Sequence, residues 1–391
     1  MQQDFHYYAT YCAAYIAGYS HEESLKLCYA DQFTDDCSAT LLNKIKAPVS
    51  AATTQLQLEM MDMRTDLVGL QNITRIWASF HFLPYDLYAV PRKCSKVYLH
   101  KYRLICNTNG DLLVDTVKLA KYTGSIQAAG IAMHILADTW AHRYFAGTPS
   151  LAINNTSYDF YEILPEGNTP AERRVTFNHN PASPDNTDTG KYTASIYQIN
   201  ENSIMNLGHG RAGHFPDYCY ARYRYLPAWG DYCEIVKDNQ EDYYYAFCQM
   251  VYAMKYLRGE NPDFLKGCYD TEAVAPFEET IRAILAKRQL NACADWKAFG
   301  ESLSGREIEP FDVKKYQQEY MKAPKEEKDS TYLGRFILAA MAQKSMVTNR
   351  VFKSGNLLTG ISVDYLKEGF KGISDFIKLV ENTAKGGRRN E

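Results

Sequence analysis

Residues 132–147 read AMHILADTWAHRYFAG and set His134, Asp138 and His142 four apart inside an otherwise apolar run. On an α-helix each step of four turns about 40° and climbs about 6 Å. The three side chains then form one slanting row on one face, its outer members roughly 12 Å apart along the axis. That reach is too long for both histidines to hold one zinc at ~2.1 Å. Asp138 stands between them with two oxygens. The economical reading is a carboxylate bridging two metals, with one histidine serving each. The alternative, an ordinary polar face, is weakened by the cost of two partnerless histidines in so apolar a run.

The rest of the chain is read around that helix. Residues 5–18 have the apolar density of a buried helix stopped by Gly18, with His6 in the first turn. Ser20-His21-Glu22-Glu23 reads as a capping box, opening a helix to about residue 43 that carries Asp35 and Asp36. His81 lies among large apolar residues just before Pro84, where it is either a satisfied core residue or a ligand. A helical region runs from the turn at 107–111 to Gly147. Residues 147–240 are rich in Asn, Pro, Thr, Gly and Tyr with little helical period, a loop length that is usually functional. Within it, Gly208-His209-Gly210-Arg211-Ala212-Gly213-His214-Phe215-Pro216-Asp217 suits a ligand loop, since glycine lets backbone bend around an ion; a plain turn is the alternative. Helices are predicted over 241–257, 272–291, 312–322, 330–348 and 363–383, as core and scaffold, with an exposed connection at 323–329. The expected fold is an all-α multi-helix bundle around a multinuclear metal site with long loop insertions. Its expected division is a helical metal-dependent domain over 1–300 and a C-terminal helical extension, 301–391, packed on it.

Composition closes several routes. A net charge of -3 provides no global basic field for nucleic acid. None of the 10 cysteines stands in CxxC spacing, which argues against a cysteine zinc ribbon and for reduced thiols. The first residues lack a basic and then apolar signal pattern, and no apolar run is long enough to span a membrane. The expected location is cytoplasmic, or outside the cell by a signal-independent route. The 31 tyrosines suit half-wet surfaces such as substrate clefts, or reflect a composition bias.

Of the 9 histidines, six (His6, His81, His134, His142, His209 and His214) sit in four short motifs with Asp or Gly/Pro turns nearby. Imidazole and carboxylate donors from several segments favour zinc, although Mn and Fe use the same donors. Six histidines and several aspartates exceed the needs of one tetrahedral ion, so two or three are expected.

Five segments in order, DFHYYATYCAAYIAG at 4–18, QFTDDC at 32–37, FHFLP at 80–84, HILADTWAHRYFAG at 134–147 and GHGRAGHFPD at 208–217, resemble the bacterial zinc-dependent phospholipase C family of the Pseudomonas fluorescens and Legionella type. The resemblance covers roughly residues 1–260. More distantly, the pattern is similar to the all-α trinuclear-zinc fold of classical bacterial phospholipases C and fungal single-strand nucleases. It implies that His134, Asp138, His81 and one of Asp35 or Asp36 hold a first metal, with Asp138 bridging. His142 with His209 and His214, or with Asp217, would hold a second, and His6, with Asp4 or the N-terminus, a third. The Asp138–His142 spacing is shorter than in the classical enzymes, and Met1-Gln2-Gln3 stands where those have a mature tryptophan.

The implied activity is phospholipase C cleavage of phosphatidylcholine-like lipids by metal-activated water, with Asp35 or Asp36 orienting the water or acting as general base. Arg211 is a candidate phosphate ligand. Tyr218 and the tyrosine-rich stretch at 218–232 are candidate headgroup contacts. The expected partner is a phospholipid at a membrane surface, bound peripherally, with no stable nucleic-acid partner. The rival expectations are a nuclease or nucleotidase with the same metals, and a non-catalytic protein stabilised by them.

Overall fold

The computed structural model describes residues 1–63, 67–91, 94–156, 159–164, 171–178, 184–194, 206–230 and 233–360. Its centre is the helix Ile126–Ala141, in which every residue after Ile126 is buried. A helix apolar all round must be enclosed by others. It packs against His21–Asp36, Asp111–Thr123, Asn239–Arg258 and Tyr332–Lys353. Ser125 caps its N-terminus by accepting from the Ala128 amide at 3.1 Å. His142 is its C-cap residue, so the predicted row ends where the helix does.

Contact between the central helix and His21–Asp36 depends on Gly130. A Cβ there would lie 2.4 Å from the Leu27 carbonyl oxygen and 2.6 Å from Ala30 Cβ. Only a residue without a side chain allows this approach. It brings the aspartates of one helix level with His134 and Asp138 of the other.

The capping box at Ser20 and Glu23 forms as expected. The helix ends at Asp36 rather than near residue 43, because Ser38 caps a new helix, Ala39–Lys44, by accepting from the Leu41 amide. The first segment opens as a π-helix, Asp4–Ala9, and continues as the α-helix Thr10–Ile16. Wide π-turns inside helices often mark functional sites, and this one carries His6.

The chain is mainly helical, but the all-α expectation needs correction. Within 147–240, strands β1 (Tyr161–Leu164), β2 (Ala171–Arg174), β5 (Arg222–Tyr225) and β6 (Ile235–Asp238) form an antiparallel sheet in the order β2-β1-β5-β6. Strands β3 (Thr176–Asn178) and β4 (Lys191–Thr193) pair in parallel. The strands are three or four residues long. β5 alternates arginine with buried tyrosine and faces a second core that includes Phe145, Phe160, Phe215 and Tyr218.

In the C-terminal half, Asn239–Arg258 and Tyr332–Lys353 match predicted helices. The 272–291 prediction divides at Pro276 into shorter pieces, the 312–322 helix shortens to Gln317–Lys322, and Cys293–Ser304 is an additional helix. Tyr332, Phe336 and Val347 share one core with Phe5, Leu27 and Leu136. The predicted helix over 363–383 lies outside the described residues. All 10 cysteines are free thiols. No described helix is long and apolar enough to cross a membrane.

Candidate metal centre

Three segments deliver a first set of four donors. His81 follows the helix Leu67–Phe80, Asp35 lies in the last turn of His21–Asp36, and His134 and Asp138 lie on the central helix. His81 Nδ1, His134 Nε2 and Asp138 Oδ2 are mutually 3.2 Å apart. Asp35 Oδ1 completes the set at 3.7 Å from His81 Nδ1 and 3.8 Å from His134 Nε2. Donors about 2.0–2.1 Å from a tetrahedral zinc stand roughly 3.3 Å from one another. The three separations among His81, His134 and Asp138 match such edges, and the two from Asp35 are somewhat longer.

A second set joins the end of the central helix to the loop before β5. His142 Nε2 lies 3.0 Å and His209 Nε2 3.3 Å from Asp217 Oδ1. Gly213 makes this loop possible: its φ is +55°, and a Cβ there would sit 1.7 Å from the Thr193 carbonyl oxygen. A third convergence lies at Asp138 Oδ1, 3.2 Å from His6 Nε2 and 2.7 Å from the Met1 amino nitrogen. The two Asp138 oxygens thus face different groups of donors.

The histidines are oriented from behind. His81 Nε2–H donates to the Thr53 carbonyl at 3.0 Å, His142 Nδ1–H to the His81 carbonyl at 2.7 Å, and His209 Nδ1–H to the Gly213 carbonyl at 2.7 Å. A carbonyl only accepts, so these three nitrogens carry the hydrogen, and the opposite nitrogen of each ring is the one turned towards the cluster. His6 Nδ1 and His134 Nδ1 both face Asp31 Oδ1, at 2.8 and 3.2 Å. Ring nitrogens of metal-bound histidines are characteristically held in this way.

Lone pairs facing one another require a cation between them. Burial alone would lower the pKa of His134, but Asp138, Asp35 and Asp31 outweigh it and push the ring up to about 10. Burial likewise opposes the Met1 ammonium, while Asp138, Asp217 and Asp35 raise it to about 11. Without metal, a proton therefore sits among the first donors. The ammonium also lies 3.2 Å from His142 Nε2 and 3.5 Å from Asp217 Oδ1. His142 is driven down to about 4 by burial, with the Met1 ammonium adding to the effect, so its ring is neutral. Burial opposes ionisation of Asp138 and Asp217, yet surrounding histidines and the ammonium hold both well below the usual carboxylate range.

Among the described residues, three groups of His and Asp can hold a metal ion: His6, Asp31 and His134; Asp35, His81 and His134; and His142, His209 and Asp217. Of the two candidate aspartates, Asp35 faces the histidines. Asp36 accepts from Gln32 Nε2 at 3.2 Å, and burial pushes it up to about 6. His214 is 70% exposed and lies at the cavity rim, its Nδ1 3.5 Å from Asp217 Oδ2 and outside the three groups of donors. Asp4 accepts from the Phe5 and Ala292 amides rather than facing the cluster. Arg211 is buried with Nε donating to Asn206, and Tyr218 is buried with its hydroxyl donating to Asp185. Neither of these last two lines the cavity over the cluster. The tyrosines at 218–225 serve the second core instead, because alternate β5 side chains point inward.

That cavity has a volume of about 400 Å³. Its floor includes Asp35, His81, His142, His209 and Asp217, and its walls include Gln2, Gln3, Gln55, Gln57, Trp77 and Phe82. Its lining among the described residues contains no lysine or arginine.

Fold and site together define a mainly helical protein with a buried His/Asp cluster, suited to metal ions, beneath an open cavity. The chain belongs to the family of unknown function DUF6765, whose model matches residues 1–351. No curated protein and no solved structure matches it.

Proposed function

We propose that this chain is a zinc-dependent phosphodiester hydrolase, a phospholipase C acting on phosphatidylcholine-like lipids. The observation that carries the reading is the set of five histidines, each held by an oxygen on one ring nitrogen while the other faces a carboxylate. His81, His134, Asp138 and Asp35 would hold one ion. His142, His209 and Asp217 would hold another, and His6 with Asp138 and the Met1 amino group a third. Zinc there would supply Lewis-acid stabilisation of phosphoryl oxygens and acidify water near neutral pH.

The protein's own groups do the rest. Asp35 is 32% exposed and reaches both the donors and the cavity, which suits it to orient an attacking water. Asp138 keeps its charge within the cluster and ties the donor groups together. A volume of about 400 Å³ suits a phosphorylated headgroup rather than a whole lipid. With no lysine or arginine among the described lining residues, negative charge on a substrate is met by the ions alone. A single phosphodiester with a zwitterionic headgroup fits that balance. A nucleic-acid strand normally binds through several basic phosphate contacts. The motif resemblance supports the same reaction.

The test is zinc analysis of the purified chain beside two assays, phosphocholine release from phosphatidylcholine vesicles and cleavage of single-stranded DNA. Two or three zinc ions with phosphocholine release are expected. DNA cleavage without lipid turnover would transfer the protein to the nucleases. Full zinc occupancy with neither activity would make the ions structural.

A further inference from the structure

Asp31 lies one helical turn before Asp35 and is completely buried. Its Oδ1 faces His6 Nδ1 at 2.8 Å and His134 Nδ1 at 3.2 Å, and its Oδ2 accepts from the Thr10 hydroxyl at 2.7 Å. The two imidazoles are stacked, with centroids 3.9 Å apart and planes 23° from parallel. Their far nitrogens diverge in role. His6 Nε2 lies 3.2 Å from Asp138 Oδ1, and His134 Nε2 lies 3.2 Å from Asp138 Oδ2.

We infer that Asp31 is a positioning residue that accepts from both imidazoles and aligns two metal positions through one carboxylate. The inference rests on the metal-centre reading above. An oxygen with two lone pairs can accept both ring N–H groups at once. This sets both rings in the Nδ1–H tautomer and turns both Nε2 lone pairs towards Asp138. It also raises the basicity of both rings as ligands, as carboxylates behind metal-bound histidines do. Thr10, just after the π-helix that carries His6, steadies the other oxygen. A shift of either helix is thus passed to His6 and His134 together.

The competing arrangement places an ion among His6 Nδ1, His134 Nδ1 and Asp31 itself. There the 2.8 Å separation is an ordinary hydrogen-bond length, and the other Asp31 oxygen is already taken by the Thr10 hydroxyl. All three side chains are also fully buried, which leaves that position no face on the cavity.

The experiment measures zinc stoichiometry and affinity of the full chain by competition with a chromophoric chelator, for the wild type, Asp31→Asn and Thr10→Val. Asparagine keeps the shape but removes the charge and replaces one acceptor oxygen by an NH₂. The expected result is wild-type stoichiometry at saturating zinc, with affinity weakened about 10–100-fold in Asp31→Asn and by a smaller factor in Thr10→Val. Loss of one whole ion from Asp31→Asn at every zinc concentration would make Asp31 a ligand and overturn the inference. Unchanged affinity with a lower metal-free melting temperature would make it purely structural and overturn it equally. If Asp31→Asn does not fold, Thr10→Val decides: weaker affinity sustains the inference and unchanged affinity rejects it. A wild-type chain that binds no zinc would instead bring down the metal-centre reading itself.

Discussion

The helical and loop sides of the centre are built on different principles. On the helical side, His6, His134, Asp138, Asp31 and Asp35 come from segments packed in the main core, and a carboxylate holds two of the rings. On the loop side, His209 stands just before one three-residue 3-10 turn and Asp217 ends another, and main-chain carbonyls hold the rings of His142 and His209. Helix packing places donors at the cost of burying charge. Loop carbonyls place them with less apolar support. The helical donors should accordingly keep their arrangement when metal is removed, while the loop donors loosen.

The largest effect is expected where the sides meet. Asp138→Ala should abolish the proposed hydrolysis and lower zinc content on both sides, because Asp138 Oδ2 faces His81 and His134 while Oδ1 faces the Met1 amino group, which also approaches His142 and Asp217. Zinc lost from one side only, as read by metal analysis, would separate the two sets. Gly130→Ala comes next. Crowding the Leu27 carbonyl should destabilise the protein by about 1–3 kcal/mol in denaturant unfolding and weaken zinc on the helical side more than His209→Ala does. The reverse ranking would mean that helix spacing does not control that side.

The smallest effect concerns pH. In the metal-free chain His134 is raised from its ordinary 6.5 to about 10. A raised folded-state value stabilises fully below about pH 6.5, and the contribution is lost as pH rises through about 10. Stability of the metal-free chain should therefore fall between those values, while zinc affinity rises as protons leave the ligands. Metal-free melting temperatures that stay flat over this window would remove His134 as the proton's resting place.

The helical side was largely legible in the sequence. Spacings of four put His134, Asp138 and His142 on one row, and the capping box located the helix that carries Asp35. Asp31 was not legible. It lies on a helix whose residues 27–34 are all buried, so no polar face distinguishes it, and its partners are 25 and 103 residues away. The choice between Asp35 and Asp36 likewise needed the packing of two helices at Gly130. On the loop side the GHGRAGH stretch announced a turn with ligands, but separating His209 from exposed His214 required the fold. The strands escaped because three or four residues carry little periodic signal, although the alternation in Arg222-Tyr223-Arg224-Tyr225 is the pattern of a half-buried strand.

The central claim is that lone pairs of both sides converge on metal ions. Anomalous diffraction at the zinc edge, from crystals of the purified full chain, tests it directly. One peak is expected about 2.1 Å from His81 Nδ1 and His134 Nε2, and another at the same distance from His142 Nε2 and His209 Nε2. A zinc-replete crystal with no peak at either position would contradict it.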